Sequence, residues 1–242
     1  MQFSLIIPAY NEQDLIESAL DPIADFLGKH FQNSEIIVVD DGSTDNTGVI
    51  LDRIAQKHTW NVSFKVLQNA ENRGKGYSVQ KGMLAAGGEV RVFMDADLPF
   101  HLDALLKMYE LIDDGYDLVI GDRNHAQTRR VDVSPLRIFA GKVYSSFIRL
   151  LIKDGITDTQ CGLKGFSASS AALIFNRTTI PGFGFDVEVL RIAQKHNLKI
   201  MRIPVDMIRN RKESKVHILR DSVRMLFDLA RIRHRERKGQ YD

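Results

Sequence analysis

Short apolar runs, each closed by a polar cluster, alternate with longer segments in which apolar residues recur every three or four positions. The runs predict strands at Phe3–Ile7, Glu35–Val39, Ser63–Leu67, Val90–Met94 and Asp117–Ile120. The periodic segments between them predict helices at about Glu12–Leu27, Asn46–Lys57, Tyr77–Ala86 and Leu102–Asp113, long enough to serve as crossovers between parallel strands. This is the pattern of a doubly wound α/β fold, a mainly parallel sheet flanked by helices. After Gly121 the alternation stops. Ser134–Lys153 has a broad apolar face at Phe139, Val143, Tyr144, Phe147, Ile148, Leu151 and Ile152 and reads as one long helix. An irregular loop at Asp158–Gly162, a helix at Phe185–Lys195, a strand at Ile200–Val205 and a basic helix from Val216 complete the chain. The expected organisation is one α/β domain over residues 1–215, followed by a basic helix and tail over 216–242.

Ligands of open α/β sheets bind outside the carboxyl ends of the strands. Pro8-Ala9-Tyr10-Asn11-Glu12 follows the first strand, Asp40-Asp41-Gly42-Ser43 the second and Asp95-Ala96-Asp97 the fourth, so three acidic clusters are expected at one rim.

Composition narrows the setting. With 44% hydrophobic and 26% charged residues over 242 positions, the chain can bury a sizeable core and is neither disordered nor fibrous. Its single cysteine, Cys161, forms no internal disulfide, which suits the cytoplasm, and no Cys/His spacing suggests zinc. The opening MQFSLIIPAYNEQ reads as a buried strand and not as a signal peptide, and no apolar run reaches the roughly eighteen residues of a membrane span. The net charge of +2 conceals a gradient: Arg209 to Lys238 holds 11 Lys and Arg against 4 acids, a balance of +7 that leaves −5 elsewhere. A basic end suggests an anionic partner there, a phosphate or a membrane surface; a solvated helical face is the plainer account. A nucleic-acid partner is not expected, because the segment lacks interleaved aromatics and a recognisable binding motif.

Two carboxylates one residue apart at a strand end, Asp95 and Asp97, suit Mg²⁺ or Mn²⁺, and a nucleoside-diphosphate leaving group needs such a cation. Asp97 before Leu98-Pro99 also suits a simple turn. Asp40 and Asp41 are placed to accept hydrogen bonds from a base or ribose, while the same stretch can cap the following helix through Ser43 or Thr44. In Asn72-Arg73-Gly74-Lys75-Gly76 the glycines would let backbone N–H groups approach a phosphate, without the ending of an ATPase phosphate loop.

Together, Pro8–Glu12, VVDDGSTD (38–45), NRGKGYSVQKGM (72–83) and MDADLPF (94–100) resemble the family 2 inverting glycosyltransferases of GT-A fold. DTQCGLKGF (158–166) and FGFDVEVL (183–190) are similar to the dolichyl-phosphate β-glucosyltransferase branch, a relative of the dolichyl-phosphate mannose synthases. The resemblance implies that Pro8, Tyr10, Glu12, Asp40 and Asp41 hold the nucleoside of a nucleotide-sugar donor. Asp95, Ala96 and Asp97 would meet diphosphate and metal, Arg123 the reacting phosphates, and Arg209 and Lys215 a loop closing over the nucleotide. Pro99 departs from relatives that carry a polar residue there, which leaves more of the metal's coordination to Asp97, the diphosphate and water.

The acceptor so implied is a polyprenyl (dolichyl-type) phosphate, glucose from UDP-glucose being the expected sugar and GDP-mannose the alternative. A phosphate monoester with a second pKa of about 6 is a nucleophile at neutral pH, so cationic positioning matters more than a strong base. Arg123 and Arg137 are the candidates to hold it, and Asp158 to orient the acceptor or an arginine. Cys161 reads as a small buried residue. Attachment is expected to be peripheral, on the cytoplasmic face of a membrane, through the basic helix. Competing readings are an aspartate-nucleophile phosphatase, which leaves Glu12 and Asp40 without a role, and a nucleotide-binding module without activity.

Overall fold

The computed structural model describes residues 2–97, 100–125, 158–206 and 218–242, without the side chains of 218–223 and 225. The expected helix Ser134–Lys153, with Arg137, and the residues Pro99, Arg209 and Lys215 lie outside the described residues. In chain order the elements are β1 (Phe3–Ala9), α1 (Ile16–His30), β2 (Ser34–Asp40), α2 (Thr47–Lys57), β3 (Ser63–Gln68), α3 (Lys75–Ala85) and β4 (Val90–Met94). They continue with α4 (Asp103–Asp113), β5 (Leu118–Asp122), β6 (Leu163–Ser167), α5 (Ala168–Phe175), α6 (Phe185–Lys195), β7 (Ile200–Pro204) and α7 (Ile218–Arg237).

The strands form one sheet in the order β3-β2-β1-β4-β6-β5-β7. All neighbours are parallel except β6, which runs antiparallel to both β4 and β5. Alternate residues of one strand serve different layers, as the two-residue period of a strand requires. Leu5, Ile7, Ile36 and Val38 pack with α1, α2 and α4, whereas Ile6, Ile37 and Val39 pack with α3, α5 and α6. Burial on both faces explains the continuous apolar runs of β1 and β2, each such side chain contributing about 1.5–3 kcal/mol. The edge strand β3 has no fully buried residue, in keeping with its mixed sequence Ser-Phe-Lys-Val-Leu-Gln. From β1 the chain winds outward to β3 and then returns through α3 to β4 on the other side of β1. The resulting reversal of strand order between β1 and β4 opens a crevice at their carboxyl ends.

The reversed strand β6 and the helix α5 were not expected from the sequence. Leu-Lys-Gly-Phe-Ser carries a lysine and a glycine where a buried strand should be apolar, yet all but Ser167 are buried. Helix α1 begins at Ile16 and not at Glu12, because residues 11–13 are held in a loop described below.

The basic helix α7 is docked on the body. Leu229, Ile232 and Tyr241 are buried in the layer that contains α6. The Tyr241 hydroxyl donates to Glu188 Oε1 at 2.7 Å, and Arg191 pairs with Glu236 and Lys195 with Asp242. Among the described residues no helix is long and apolar enough to cross a membrane.

Candidate active site

The crevice is built first by the exits of β1 and β2. Asn11 adopts a left-handed conformation (φ 55°), and the loop it turns is sewn to residues 43–47. The Asn11 N–H donates to Ser43 Oγ (2.9 Å), the Glu12 N–H to Thr47 Oγ1 (2.8 Å) and the Thr44 N–H to Asn11 Oδ1 (2.8 Å). Ser43 and Thr44 therefore brace this loop and do not cap α2; it is Asp45 Oδ1 that accepts from the Thr47 N–H, at 2.9 Å. Tyr10 stands exposed at the rim, with Pro8 and Glu12 half-buried.

Asp40 and Asp41 are both buried. Asp40 Oδ1 accepts from the Ser43 N–H at 3.0 Å. Asp41 accepts from Asn69 Nδ2 and from the backbone N–H groups of Arg73 and Gly74, at 2.8, 3.0 and 2.8 Å. Those two N–H groups, expected to approach a phosphate, are thus engaged by Asp41. The glycines serve close packing: a Cβ on Gly74 would lie 2.5 Å from the Pro181 carbonyl oxygen, and one on Gly76 2.4 Å from that of Ile180. The 72–76 loop presents a side chain instead. The Lys75 ammonium lies 2.5 Å from Asp95 Oδ1.

Asp95, Ala96 and Asp97 leave β4 in a turn, with Ala96 buried and Asp97 exposed. The Asp95 N–H donates to the Gly162 carbonyl at 3.1 Å, and the Asp95 carboxylate lies so close over Gly162 that a Cβ there would stand 2.0 Å from Oδ2. Partial desolvation among its neighbours first, and then the negative charges of Asp95 and Glu12, push the solvent-accessible Asp97 carboxyl above its ordinary range, with Lys75 opposing. Burial lowers the Lys75 ammonium, but Asp95 and Asp186 outweigh it and the net shift is upward.

At the exit of β5, on the far side of β6 from β4, Arg123 and Asp158 form a two-pronged ion pair. Asp158 accepts from Arg123 Nε at 2.7 Å, from Nη2 at 2.8 Å and from the backbone N–H at 3.0 Å. Burial disfavours both charges, yet the pairing prevails: the Asp158 carboxyl lies below its ordinary range and the Arg123 guanidinium above its own. Asp158 therefore orients the arginine. The Arg123 side chain is 36% exposed, so the fork is open to solvent on one side, and Asp95 lies within electrostatic range. Cys161 is fully buried, and burial, seconded by Asp158, pushes its thiol up to about 12, which keeps it a thiol.

Beneath these groups sits a pair that sequence reasoning missed. Lys164 is fully buried, and its ammonium donates to Asp186 Oδ1 at 2.5 Å and to the Cys161 carbonyl at 2.8 Å. It lies over the Phe93 ring, 5.4 Å from the centroid. Burial pushes the Asp186 carboxyl up, while Lys164 and Lys75 oppose that shift. Lys164 ties the 158–162 loop, with both Asp158 and the Gly162 seat of Asp95, to the start of α6. Lys164 and Asp186 stand inside quoted motifs, and the available signal was a charged residue interrupting an otherwise apolar segment.

Whether these residues suit a divalent cation can be asked of their chemistry. Among the described residues no group of three or more His, Cys, Asp or Glu side chains converges on one point. Asp95 and Asp97 offer oxygen donors only, and the Lys75 ammonium shows that a cation is already favoured on Asp95. Such a site fits Mg²⁺ or Mn²⁺ shared with a substrate diphosphate and water, as opposed to an all-protein cage.

A crevice at a strand-order reversal, acidic on the β4 side and carrying an oriented arginine on the β5 side, suits a nucleotide-linked substrate. Residues 4–175 match the family described as Glycosyl transferase family 2. The chain belongs to that family and is a glycosyltransferase. It is 32% identical to the dolichyl-phosphate β-glucosyltransferase of Dictyostelium discoideum, over 96% of this chain and 74% of that protein. It is also 32% identical to a dolichyl-phosphate β-glucosyltransferase of Trichomonas vaginalis, over 95% of this chain and 70% of that one. Among solved structures, glucosyl-3-phosphoglycerate synthase of Mycobacterium tuberculosis in complex with Mn²⁺, UDP and phosphoglyceric acid is similar with a TM-score of 0.69. Sequence identity is 19%, covering 96% of this chain and 78% of that one. The architecture is thereby that of the GT-A fold.

Proposed function

We propose that this glycosyltransferase moves glucose from UDP-glucose to the phosphate of a dolichyl-type polyprenol, with inversion, at the cytoplasmic face of a membrane to which it attaches peripherally. The observation that carries the reading is the electrostatic proximity of the Lys75–Asp95–Asp97 group, at the exit of β4, and the Arg123–Asp158 fork, at the exit of β5. One side suits a metal-bound diphosphate and the other an anionic acceptor. The two relatives' printed names support glucose and dolichyl phosphate, and the complex of the structural neighbour with UDP and Mn²⁺ supports the donor side.

In this reading Pro8, Tyr10, Glu12, Asp40 and Asp41 frame the nucleoside, with Asp41 acting through the loop it ties down. Asp95 and Asp97 hold Mg²⁺ or Mn²⁺, which when bound neutralises charge building on the leaving diphosphate. Lys75 then exchanges Asp95 for the diphosphate as its partner. Arg209 and Lys215 close over the nucleotide. Arg123, held rigid by Asp158, and Arg137 keep the acceptor phosphate beside the anomeric carbon. Because that phosphate is already ionised at neutral pH, the work is positioning and charge stabilisation.

The test is radiolabelled sugar transfer to one polyprenyl phosphate from UDP-glucose, UDP-GlcNAc or GDP-mannose, with and without EDTA. Transfer from UDP-glucose alone, lost with EDTA, is expected. Equal or better transfer from GDP-mannose would overturn the donor assignment, and full activity with EDTA the metal.

A further inference from the structure

The face that α7 turns away from the body combines exposed apolar side chains with exposed positive charge. Phe227 is 66% exposed and Leu226 39%, although Leu229 and Ile232 of the same helix are buried. Phe227 shares a helical stripe with Arg224, Arg231 and His234, at spacings of three, four and three residues, all exposed. The acidic side chains described on α7 are directed elsewhere. Asp228 is buried against Gly184, where a glycine Cβ would lie 2.6 Å from its Cβ, and Glu236 pairs with Arg191. Arg231 reaches Asp228 only at 3.6 Å and keeps 67% of its side chain exposed.

A second exposed aromatic stands where α7 meets the body. Phe183, 39% exposed, stands in the 182–184 turn that Asp228 touches. Its carbonyl accepts from Gln160 Nε2 at 3.4 Å, and Gln160 belongs to the loop that carries Asp158. The turn therefore connects the docked side of α7 with the loop that orients Arg123.

We infer that the outer face of α7 is a membrane-docking surface: Phe227 and Leu226 enter the interfacial region of the bilayer while Arg224 and Arg231 meet anionic phospholipid headgroups. The inference deepens the proposed use of a lipid-borne acceptor, on which it rests, for it names the surface that would bring the enzyme to that lipid. Exposed aromatics amid basic residues, with the acids turned inward, match an anionic interface and not water. Each headgroup contact strengthens binding about fivefold, and burial of one large apolar side chain by at least about tenfold.

The full chain is sedimented with phosphatidylcholine vesicles, with and without phosphatidylglycerol, at low and high salt. Binding should require phosphatidylglycerol and weaken with salt. Leu226→Ser/Phe227→Ser should weaken it at least tenfold with an unchanged melting temperature, and Arg224→Gln/Arg231→Gln should remove most of the salt dependence. Wild-type-like vesicle binding by Leu226→Ser/Phe227→Ser would overturn the inference. So would a dimer that this variant splits without loss of vesicle binding, which would make a second copy the occupant. Glucosyl transfer to a short, water-soluble polyprenyl phosphate separates this from the functional reading. The variants should retain it, and if the wild type lacks it while the vesicle results hold, the surface stands and the acceptor assignment falls.

Discussion

Gly162→Ala tests the geometry of the crevice without removing any functional group. The added Cβ would lie 2.0 Å from Asp95 Oδ2, 2.4 Å from Cγ and 2.8 Å from Oδ1, where ordinary contact begins near 3.4 Å. The nearest oxygen must therefore retreat by about 1.4 Å. The Asp95 N–H remains tied to the Gly162 carbonyl at 3.1 Å, so the backbone cannot move far and the carboxylate must swing off its seat. That breaks the 2.5 Å contact with Lys75 and displaces a proposed metal ligand. A misplacement of about 1 Å in a catalytic constellation can cost roughly 10²-fold, so kcat/KM for UDP-glucose should fall by about two orders of magnitude. Because a short side chain at the rim gives way, stability should fall by only about 1 kcal/mol. Steady-state transfer, Mn²⁺-dependent UDP binding by calorimetry and thermal unfolding measure the three quantities. Wild-type kcat/KM in Gly162→Ala would refute the argument that the seat of Asp95 matters, and a collapse in stability would show that the glycine serves folding instead.

Asp158→Asn should cost about 1–2 kcal/mol, the lower part of the range for losing one partner of an ion pair, because Arg123 remains partly in water. The lowered Asp158 pKa means that this stability is full above the ordinary aspartate value of about 3.9 and is lost as pH falls through the folded value, so urea titrations should show the variant's deficit shrinking in acid; a deficit constant with pH would refute the pairing. Lys164→Met should cost about 3–5 kcal/mol by leaving Asp186 buried without its partner, and Lys164→Met/Asp186→Leu should recover most of it. A double variant as unstable as the single one would deny that the pair acts as a unit. Asp97→Ala should abolish sugar transfer and cation-dependent UDP binding, with stability within about 0.5 kcal/mol of wild type because the side chain is exposed; activity near normal would remove Asp97 from the metal site.

The parallel half of the fold was legible because burial on both faces leaves uninterrupted apolar runs, and β1, β2 and β4 stand within two residues of where those runs predict them. The rim was legible for the same reason: polar clusters directly after such runs have to emerge at strand exits. What could not be read was anything set by long-range contact. Strand β6 is disguised by Lys164, whose charge is tolerated only because Asp186, 22 residues away, is buried beside it. The 72–76 glycines suggested phosphate binding, but they face carbonyls of residues 180 and 181, a hundred positions downstream. The start of α1 was misplaced because side chains from 43–47, and not a local cap, determine the conformation of 11–13. Lys75 was read as part of a backbone loop, since only the folded crevice puts its ammonium on Asp95.

The reversed direction of β6 acts as a ruler. Parallel strands reach the crevice only by their exits, whereas β6 reaches it by its entrance, so the 158–162 loop arrives between the exits of β4 and β5. Asp95 on one exit is bonded to Gly162 of that entrance loop, and Arg123 on the other exit to Asp158. The strand exits that carry Asp95 and Arg123 are thereby two strand spacings apart, about 10 Å, the interval in which the proposed reaction would place the sugar. That interval belongs to the hydrogen-bond ladder, and Asp158 and Gly162 fix the two side chains within it. The chain between Arg123 and Asp158 can change in length or sequence during evolution without altering the gap that the proposed sugar transfer would span.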